Sequence, residues 1–318
     1  MAVPVLICNF NRPAQSERVL HKVLQYKPSA LFLHFDGPRL GNLRDQEKCA
    51  GVRAVFQKNK WPCPVKKRYA KNNLGCGRAV FGALEWFFQH VPEGIILEDD
   101  CLPESGFFPF AEAMLQKYRD DNTVMHISGM GFRPKGIPHE ADGFFSAMPF
   151  IWGWASWRRA WNFYKPSLPR TRDLDLVLRR ECKSELMRRY WQQKLLAVKR
   201  RQIRTWDYQW VYTLWSRGGW AVTPTTSLIT NIGFGRESTH TLTHVKGYAP
   251  TGKKVKAKHL RIFEKVDRTH NSQEIFDRIF LANEPKAGLE RFFRKPGWLW
   301  ILFLGIRRRV LALWSGCS

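Results

Sequence analysis

Gly94-Ile95-Ile96-Leu97 runs without a break into Glu98-Asp99-Asp100. A short continuous apolar run reads as a strand buried on both faces, here expected from Ile95 to Asp100. A buried strand that ends in acids places negative charge at the carboxyl edge of a sheet, where open α/β folds bind ligands. Neighbouring carboxylates repel one another unless a cation lies between them, and Mg²⁺ or Mn²⁺ bridging to a diphosphate is the usual one. The same residues also fit a plainer arrangement, in which the acids cap a following helix with Pro103, Glu104 and Ser105 in its first turn.

The chain before this point has the grammar of a parallel sheet. Val3 to Cys8 reads as a buried strand, Asn9 to Pro13 as a polar turn, and Ser16 to Tyr26 as a helix with Val19, Leu20, Val23 and Leu24 on one side. Ala30 to Phe35 is the next strand, ending at Asp36-Gly37-Pro38, so the unit is βαβ and its strand-end loops share one edge. A second, weaker unit runs through Val52–Asn59 and Val65–Tyr69. Asn73 to Arg78 is a glycine-containing loop opening a helix from Ala79 to His90. After a helix from Phe107 to Tyr118 the pattern changes. Val124 to Ser128 reads as a strand, and Phe144 to Trp161 is aromatic. Leu174 to Arg204 is a basic helical stretch, and Trp206 opens a further helix. Trp220 to Val222 is a short strand, Asn231 to Arg236 a polar loop, and Ser272 to Leu281 a short helix.

Charge restricts the partners. The formal net charge of the 318 residues is +25, which calls for an acidic partner: anionic lipid, nucleic acid or a phosphorylated substrate. Fifteen Lys or Arg against four Asp or Glu lie between Arg158 and Arg204. The seven Cys are odd in number and show no CxxC pair or zinc spacing, which argues against a disulfide framework and fits a reducing compartment. No signal-peptide pattern precedes the first strand, and no segment reaches the roughly 20 apolar residues of a membrane span.

The strand-end residues form one set. Asn9 and Arg12 follow the first strand, Asp36 the second, and Glu98, Asp99 and Asp100 a later one. Arg12 has the fork geometry for phosphate, and Asp36 can accept hydrogen bonds from a ribose or base. The Asn73–Arg78 loop offers a helix N-terminus and Arg78 to an anion. Singly, each also fits a solvated charge or a plain turn. Four such features in this order along one sheet edge are less easily explained that way.

At these residues the sequence resembles glycosyltransferases of the GT-A type, and the N-acetylglucosaminyltransferase I family in particular. The resemblance is carried by Pro4 to Pro13, Leu20 to Pro28, Leu97 to Asp100, Trp206-Asp207 and the glycine-containing loop after Asn231. It covers about 240 residues in patches. It implies a mixed, mostly parallel α/β sheet flanked by helices, of the Rossmann-like nucleotide-diphospho-sugar transferase kind. It implies Asp100 as the single direct protein ligand of Mn²⁺ (or Mg²⁺), with Glu98 and Asp99 at the donor sugar and ribose and Arg12 and Asp36 at the nucleotide. Asp207 would be the general base of an inverting transfer, although a helix N-cap explains the same residue. The implied donor is a nucleotide sugar, a UDP-sugar first. The family's membrane anchor and lumenal disulfides have no counterpart in this sequence.

The loop Gly233-Phe234-Gly235-Arg236 reads as a lid over the donor, and His240 as a second metal or phosphate contact or a surface histidine. In the aromatic stretch Trp154 and its turn at Gly153 are placed near the acceptor, with most tryptophans in the core. The expected organisation is a catalytic domain over residues 1–285, nucleotide-binding to about 121 and acceptor-binding from about 122. A basic amphipathic segment follows over 286–318. Its Trp and Arg residues suit an anionic membrane surface, or a helix docked on the protein. That reading gives a cytoplasmic, peripheral enzyme acting on a glycan or lipid-linked acceptor. Two alternatives use the same residues: a non-enzymatic basic protein binding nucleic acid or membrane, and a nucleotidyltransferase on a similar fold. Nucleic acid is not the expected partner, since no helix-turn-helix, zinc-finger or RNP-like pattern is present.

Overall fold

The structure is a computed structural model and describes residues 2–233, 260–263 and 271–281. Gly235, Arg236, His240 and the whole of 286–318 lie outside the described residues.

The first half builds a parallel sheet. Strands β1 (Val5–Asn9), β2 (Leu31–Phe35), β3 (Val65–Tyr69) and β4 (Glu93–Glu98) alternate with helices α1 (Pro13–Tyr26), α2 (Leu43–Gln57) and α3 (Cys76–His90). β1 pairs in parallel with both β2 and β4, and β3 lies beyond β2. The loops after β1 and β4 therefore flank the point where strand order reverses, the crevice in which open sheets bind ligands. β1 and β2 are buried at every position, whereas β3 exposes Lys66 and Lys67 at the sheet edge, where charge blocks strand addition.

Of the element boundaries that differ from the sequence expectation, two have a clear local cause. α1 begins at Pro13 rather than Ser16, because proline is pre-set for the first helical position. α3 begins at Cys76 rather than Ala79, entered from Gly75 at φ +76°.

The second half continues the same sheet. After the short β5 (Cys101–Pro103) and α4 (Phe107–Lys117) come β6 (Val124–Ser128), β7 (Gly143–Ser146), β8 (Trp154–Trp157) and β9 (Trp220–Pro224), with β10 (Ile229–Asn231) beyond. β8 lies antiparallel between β4 and β6, and the strand Ile262–Phe263 closes the far edge beside β7. The fold is thus a mixed, mostly parallel sheet flanked by helices, with nine strands among the described residues. It passes without interruption from the expected nucleotide-binding half into the acceptor half.

Hydrophobic layers cover both faces. Val19, Leu20 and Val23 of α1, Val52 and Phe56 of α2, and the Phe-rich α4 pack on one face. On the other lie α3, α5 (Arg158–Trp161) and α8 (Asp207–Arg217). α3 approaches β4 so closely that a Cβ on Gly94 would overlap the Phe87 ring, 2.9 Å from its Cε1. The basic stretch is two helices, α6 (Thr171–Glu181) and α7 (Glu185–Lys199), broken where the Ser184 side chain caps α7 by accepting the Met187 N–H at 3.1 Å. Among the described residues no helix is long and apolar enough to cross a membrane.

Candidate active site

β4 ends one residue into the acidic run. Glu98 closes the strand, and Asp99 and Asp100 form a turn into β5, which is not the strand expected through Asp100. Nor do these acids cap the next helix, since Pro103 is in β5 and α4 starts at Phe107. The turn is held from across the switch point: the Phe10 N–H donates to Asp99 Oδ2 at 3.0 Å. Arg12, from the same loop, pairs with Asp99 at 3.4 Å and also with Asp100. Its side chain is only 15% exposed, so it is an internal counter-ion to the acids.

The other end of the turn is set by a small ribbon. β10 pairs antiparallel with β5, bringing Asn231 opposite Cys101. The Ile232 N–H donates to the Asp100 carbonyl at 2.8 Å. Gly233 then passes directly over the Asp100 side chain. A Cβ at this position would lie 2.8 Å from the carboxyl carbon and overlap one oxygen.

Glu98 points the other way, toward α3. Side chains alternate along a strand, so it shares its face with Ile96, which packs in the α3 layer. Cys8 lies beside it in register on β1. Burial first, then Asp100, Asp99 and Asp207, push the Glu98 carboxyl up to about 8. Burial and Asp100 likewise raise Asp99, against the opposing pull of Arg12. Cys76, at the start of α3, is raised by burial and by the same carboxylates: Glu98, Asp207, Asp100 and Asp36. These mutual influences place Asp207 within the field of the β4 acids. Asp207 is the first residue of α8, and the Thr205 hydroxyl donates to its Oδ1. Gly77 packs against Thr205, with a Cβ there only 3.1 Å from the Thr205 backbone. The start of α3 and the start of α8 are thus in contact.

A cleft of about 840 Å³ opens beside this contact. Its walls are the Asn73–Arg78 loop, Phe81, Tyr164 to Leu168, and the segment from Val198 to Gln209.

No protein-family profile matches the sequence, and no curated protein matches it. Solved structures give only remote likenesses. A UDP-glucose pyrophosphorylase complexed with UDP-glucose is 10% identical, with 48% of this chain and 64% of that chain covered and a TM-score of 0.26. An apo UDP-glucose pyrophosphorylase is 7% identical over 70% of this chain and 90% of that one, with a TM-score of 0.34. The 4-diphosphocytidyl-2C-methyl-D-erythritol synthase of Anaerococcus prevotii is 12% identical over 72% and 92%, also with a TM-score of 0.34. The chain spans 64% of the length of the first of these. The site has to be read from its own geometry.

That geometry gathers Arg12, Glu98, Asp99, Asp100, Asp207 and Gly233. Other expected residues are used by the fold itself. Asp36 is buried and clamps the loop before α3. Its carboxylate accepts from Leu74 N–H, Gly37 N–H and Asn73 Nδ2, each at 2.9 Å. Burial raises its carboxyl, with those backbone bonds opposing. Its oxygens shape the α3 entrance instead of standing open to a ribose. Asn9 is also buried, and its Nδ2 ties the Ile7 and His34 carbonyls, each at 3.2 Å.

Trp154 is 1% exposed and meets no acceptor. It stacks on Trp206 at 5.6 Å and on His126 at 5.0 Å between ring centroids. His126 is fixed as a neutral ring, since Nδ1 accepts from Trp210 Nε1 at 3.1 Å and Nε2 donates to the Phe150 carbonyl at 2.9 Å. Burial lowers its pKa to about 3. This aromatic block carries Trp206, and hence Asp207, at a fixed height above the sheet.

Arg78 is exposed in the first turn of α3 and lines the cleft. Sequence reasoning missed Thr205, Gly77, Cys76 and Gln209. Thr205 was detectable as a hydroxyl two residues before a helix-starting aspartate, whereas the Gly77 contact joins segments far apart in the chain.

Proposed function

We propose that this chain is an inverting glycosyltransferase. Its donor is a nucleotide sugar, a UDP-sugar first, and its acceptor is a hydroxyl of a glycan or lipid-linked glycan at a cytoplasmic membrane surface. The observation that carries the reading is the convergence of Asp207 on the Glu98–Asp100 turn, although more than a hundred residues of chain separate them. The resemblance to the N-acetylglucosaminyltransferase I family assigns those two positions to general base and metal ligand.

The residues fit a hard divalent cation of the Mn²⁺ or Mg²⁺ type. Among the described residues no three His, Cys, Asp or Glu side chains form a cage, so the cation would take Asp100 together with donor phosphates, as Mg²⁺-type sites do. When bound it would neutralise charge on the departing diphosphate. The chain's own residues do the rest. Asp207 takes the acceptor proton as that oxygen bonds to the anomeric carbon and the bond to the diphosphate breaks. Thr205 fixes the plane of the Asp207 carboxylate. Glu98, whose carboxyl burial holds above the usual carboxylate range, suits a hydrogen bond to the donor sugar. Arg12 suits the diphosphate once a cation shares Asp100.

The test is hydrolysis of a nucleotide-sugar panel with Mn²⁺ or chelator, comparing wild type with Asp100→Ala and Asp207→Asn. The expected result is slow, Mn²⁺-dependent release of one nucleotide, lost in Asp100→Ala. Asp207→Asn should keep donor binding and lose transfer. Pyrophosphate release from a nucleoside triphosphate would instead indicate a nucleotidyltransferase. Salt-dependent oligonucleotide binding with no nucleotide-sugar binding would indicate a basic binding protein.

A further inference from the structure

We infer that the cleft between the start of α3 and the loop joining α7 to α8 holds the phosphate of a phosphorylated acceptor. Its occupant is a sugar phosphate or diphosphate whose free hydroxyl reaches Asp207. The use of that hydroxyl rests on the glycosyltransferase reading; the anion site itself does not.

Four cations line the cleft: Arg78, Lys199, Arg201 and Arg204. All four are exposed. Among the described residues none of them pairs with a carboxylate; Arg78 Nε donates to the Leu74 carbonyl at 3.2 Å and Lys199 to the Pro169 carbonyl. Arg78 lies in the field of buried Asp36, but among the described residues no ion pair neutralises the four cations around this concavity, and an anion relieves the repulsion among them. The first-turn backbone of α3 adds to the same field.

A second, independent feature points to a ligand. Gln209 lines the cleft and is 6% exposed. Its Nε2 donates to the Thr205 carbonyl at 2.9 Å, which fixes the amide orientation. Its Oε1 is then buried with no donor. A hydroxyl of an occupant that reaches this wall would supply the missing partner. The cleft thus offers cations at its rim and a lone acceptor beside Asp207, the polarity of a phosphate joined to a sugar.

The donor diphosphate is a poor occupant. Of the expected donor-site residues Arg78 lines the cleft, but Asn9, Arg12, Asp36, Glu98, Asp99 and Asp100 do not. Asp207 sits between Thr205 and Gln209 of the cleft wall, while its charge reaches Glu98. Asp207 does not itself line the cleft, but its carboxylate accepts from the Thr205 hydroxyl of the wall, one side chain away from an occupant. A volume of about 840 Å³ suits a small phosphorylated glycan.

The test uses calorimetry with inorganic pyrophosphate in chelator, so that no metal bridges the probe to Asp100. Wild type should bind it, and Arg201→Gln with Arg204→Gln should weaken it by roughly tenfold or more, as expected for losing charge-assisted hydrogen bonds. Equal affinity in wild type and variant overturns the inference. Glucose 6-phosphate and phosphatidylcholine vesicles carrying a polyprenyl diphosphate are then used as competitors. Displacement by either supports the inference and names the source, while displacement by neither overturns it. In Mn²⁺, a nucleotide sugar that competes with glucose 6-phosphate would make the cleft the donor site and also overturn it. Simultaneous binding of both supports it. If pyrophosphate binds and depends on these arginines but no nucleotide sugar binds, the glycosyltransferase reading fails while the anion site stands.

Discussion

Replacing Arg12 by Met removes the cation that bridges Asp99 and Asp100 while keeping most of the side-chain volume. At 3.4 Å and an effective dielectric constant near 20, one such pair has a gross attraction of about 5 kcal/mol. Desolvation offsets part of this, and breaking a buried pair from one side typically costs about 3–5 kcal/mol. Arg12 and its partners are largely but not fully buried, so the low end applies, about 3 kcal/mol. In a chain of this size that lowers the melting temperature by roughly 4–5 °C. The loss depends on pH in a defined direction. Glu98 and Asp99 both have raised folded-state values, and Arg12 opposes both shifts. The folded state therefore holds extra protons between the ordinary carboxylate range and about 8, so stability falls as pH rises through that window. Without Arg12 both carboxyls rise further, making the deficit larger at pH 8 than at pH 5. Mn²⁺ should restore more stability to the variant than to wild type, because it replaces the missing charge. Urea unfolding at both pH values, with and without Mn²⁺, measures all three effects. A deficit below about 1 kcal/mol, or one equal at both pH values, would refute the internal counter-ion argument.

Other changes probe the surrounding geometry. Gly233→Ala should abolish Mn²⁺-dependent nucleotide binding by displacing the Asp100 carboxylate, with calorimetry as the readout. In Gly77→Ala the new methyl 3.1 Å from Thr205 moves the Asp207 carrier by a few tenths of an ångström. Turnover at saturating donor should fall several-fold, and Gly77→Val should be worse. Asp36→Ala strands the Leu74 and Gly37 N–H groups and should cost about 2 kcal/mol in urea unfolding. His126, held near 3 against 6.5, should make stability fall as pH drops below 6.5 toward 3, since only the unfolded state takes up the proton. His126→Phe should flatten that slope in acid titrations and weaken the near-ultraviolet signal of the tryptophan stack.

The parallel half was legible because its signals are local. Apolar runs of strand length, a helical stripe in α1 and acids at a strand end need no knowledge of distant residues. The acid positions were read correctly as a strand terminus, but the turn at Asp99 was not. What bends the chain there is the Phe10 N–H, 89 residues earlier in sequence. Asp36 looked like a ligand contact because a strand-end aspartate in this sheet usually faces the crevice; here backbone N–H groups of the next loop claim it. Trp154 shows the ambiguity of aromatic residues, since nothing in Ile151 to Trp157 tells a sugar platform from a core stack. The deciding partners, His126 and Trp206, come from two other elements. Position-by-position pattern also could not reveal that Arg201 and Arg204 line a cavity, only that they belong to a basic run.

The antiparallel insertion of β8 between β4 and β6 has a consequence for biosynthesis. Ile95 and Ile96 of β4 take Ala155 and Trp154 as strand partners, so nothing earlier in the chain can complete that side. A nascent chain that has already docked β1 to β4 presents an apolar, unpaired edge until residues near 154 leave the ribosome, about 3–11 s at ordinary synthesis rates. A fragment ending near residue 121 would keep that edge permanently and should aggregate, however well its Rossmann-like half is formed. The two halves are accordingly one folding unit, and the aromatic segment serves as the stopper for the parallel sheet.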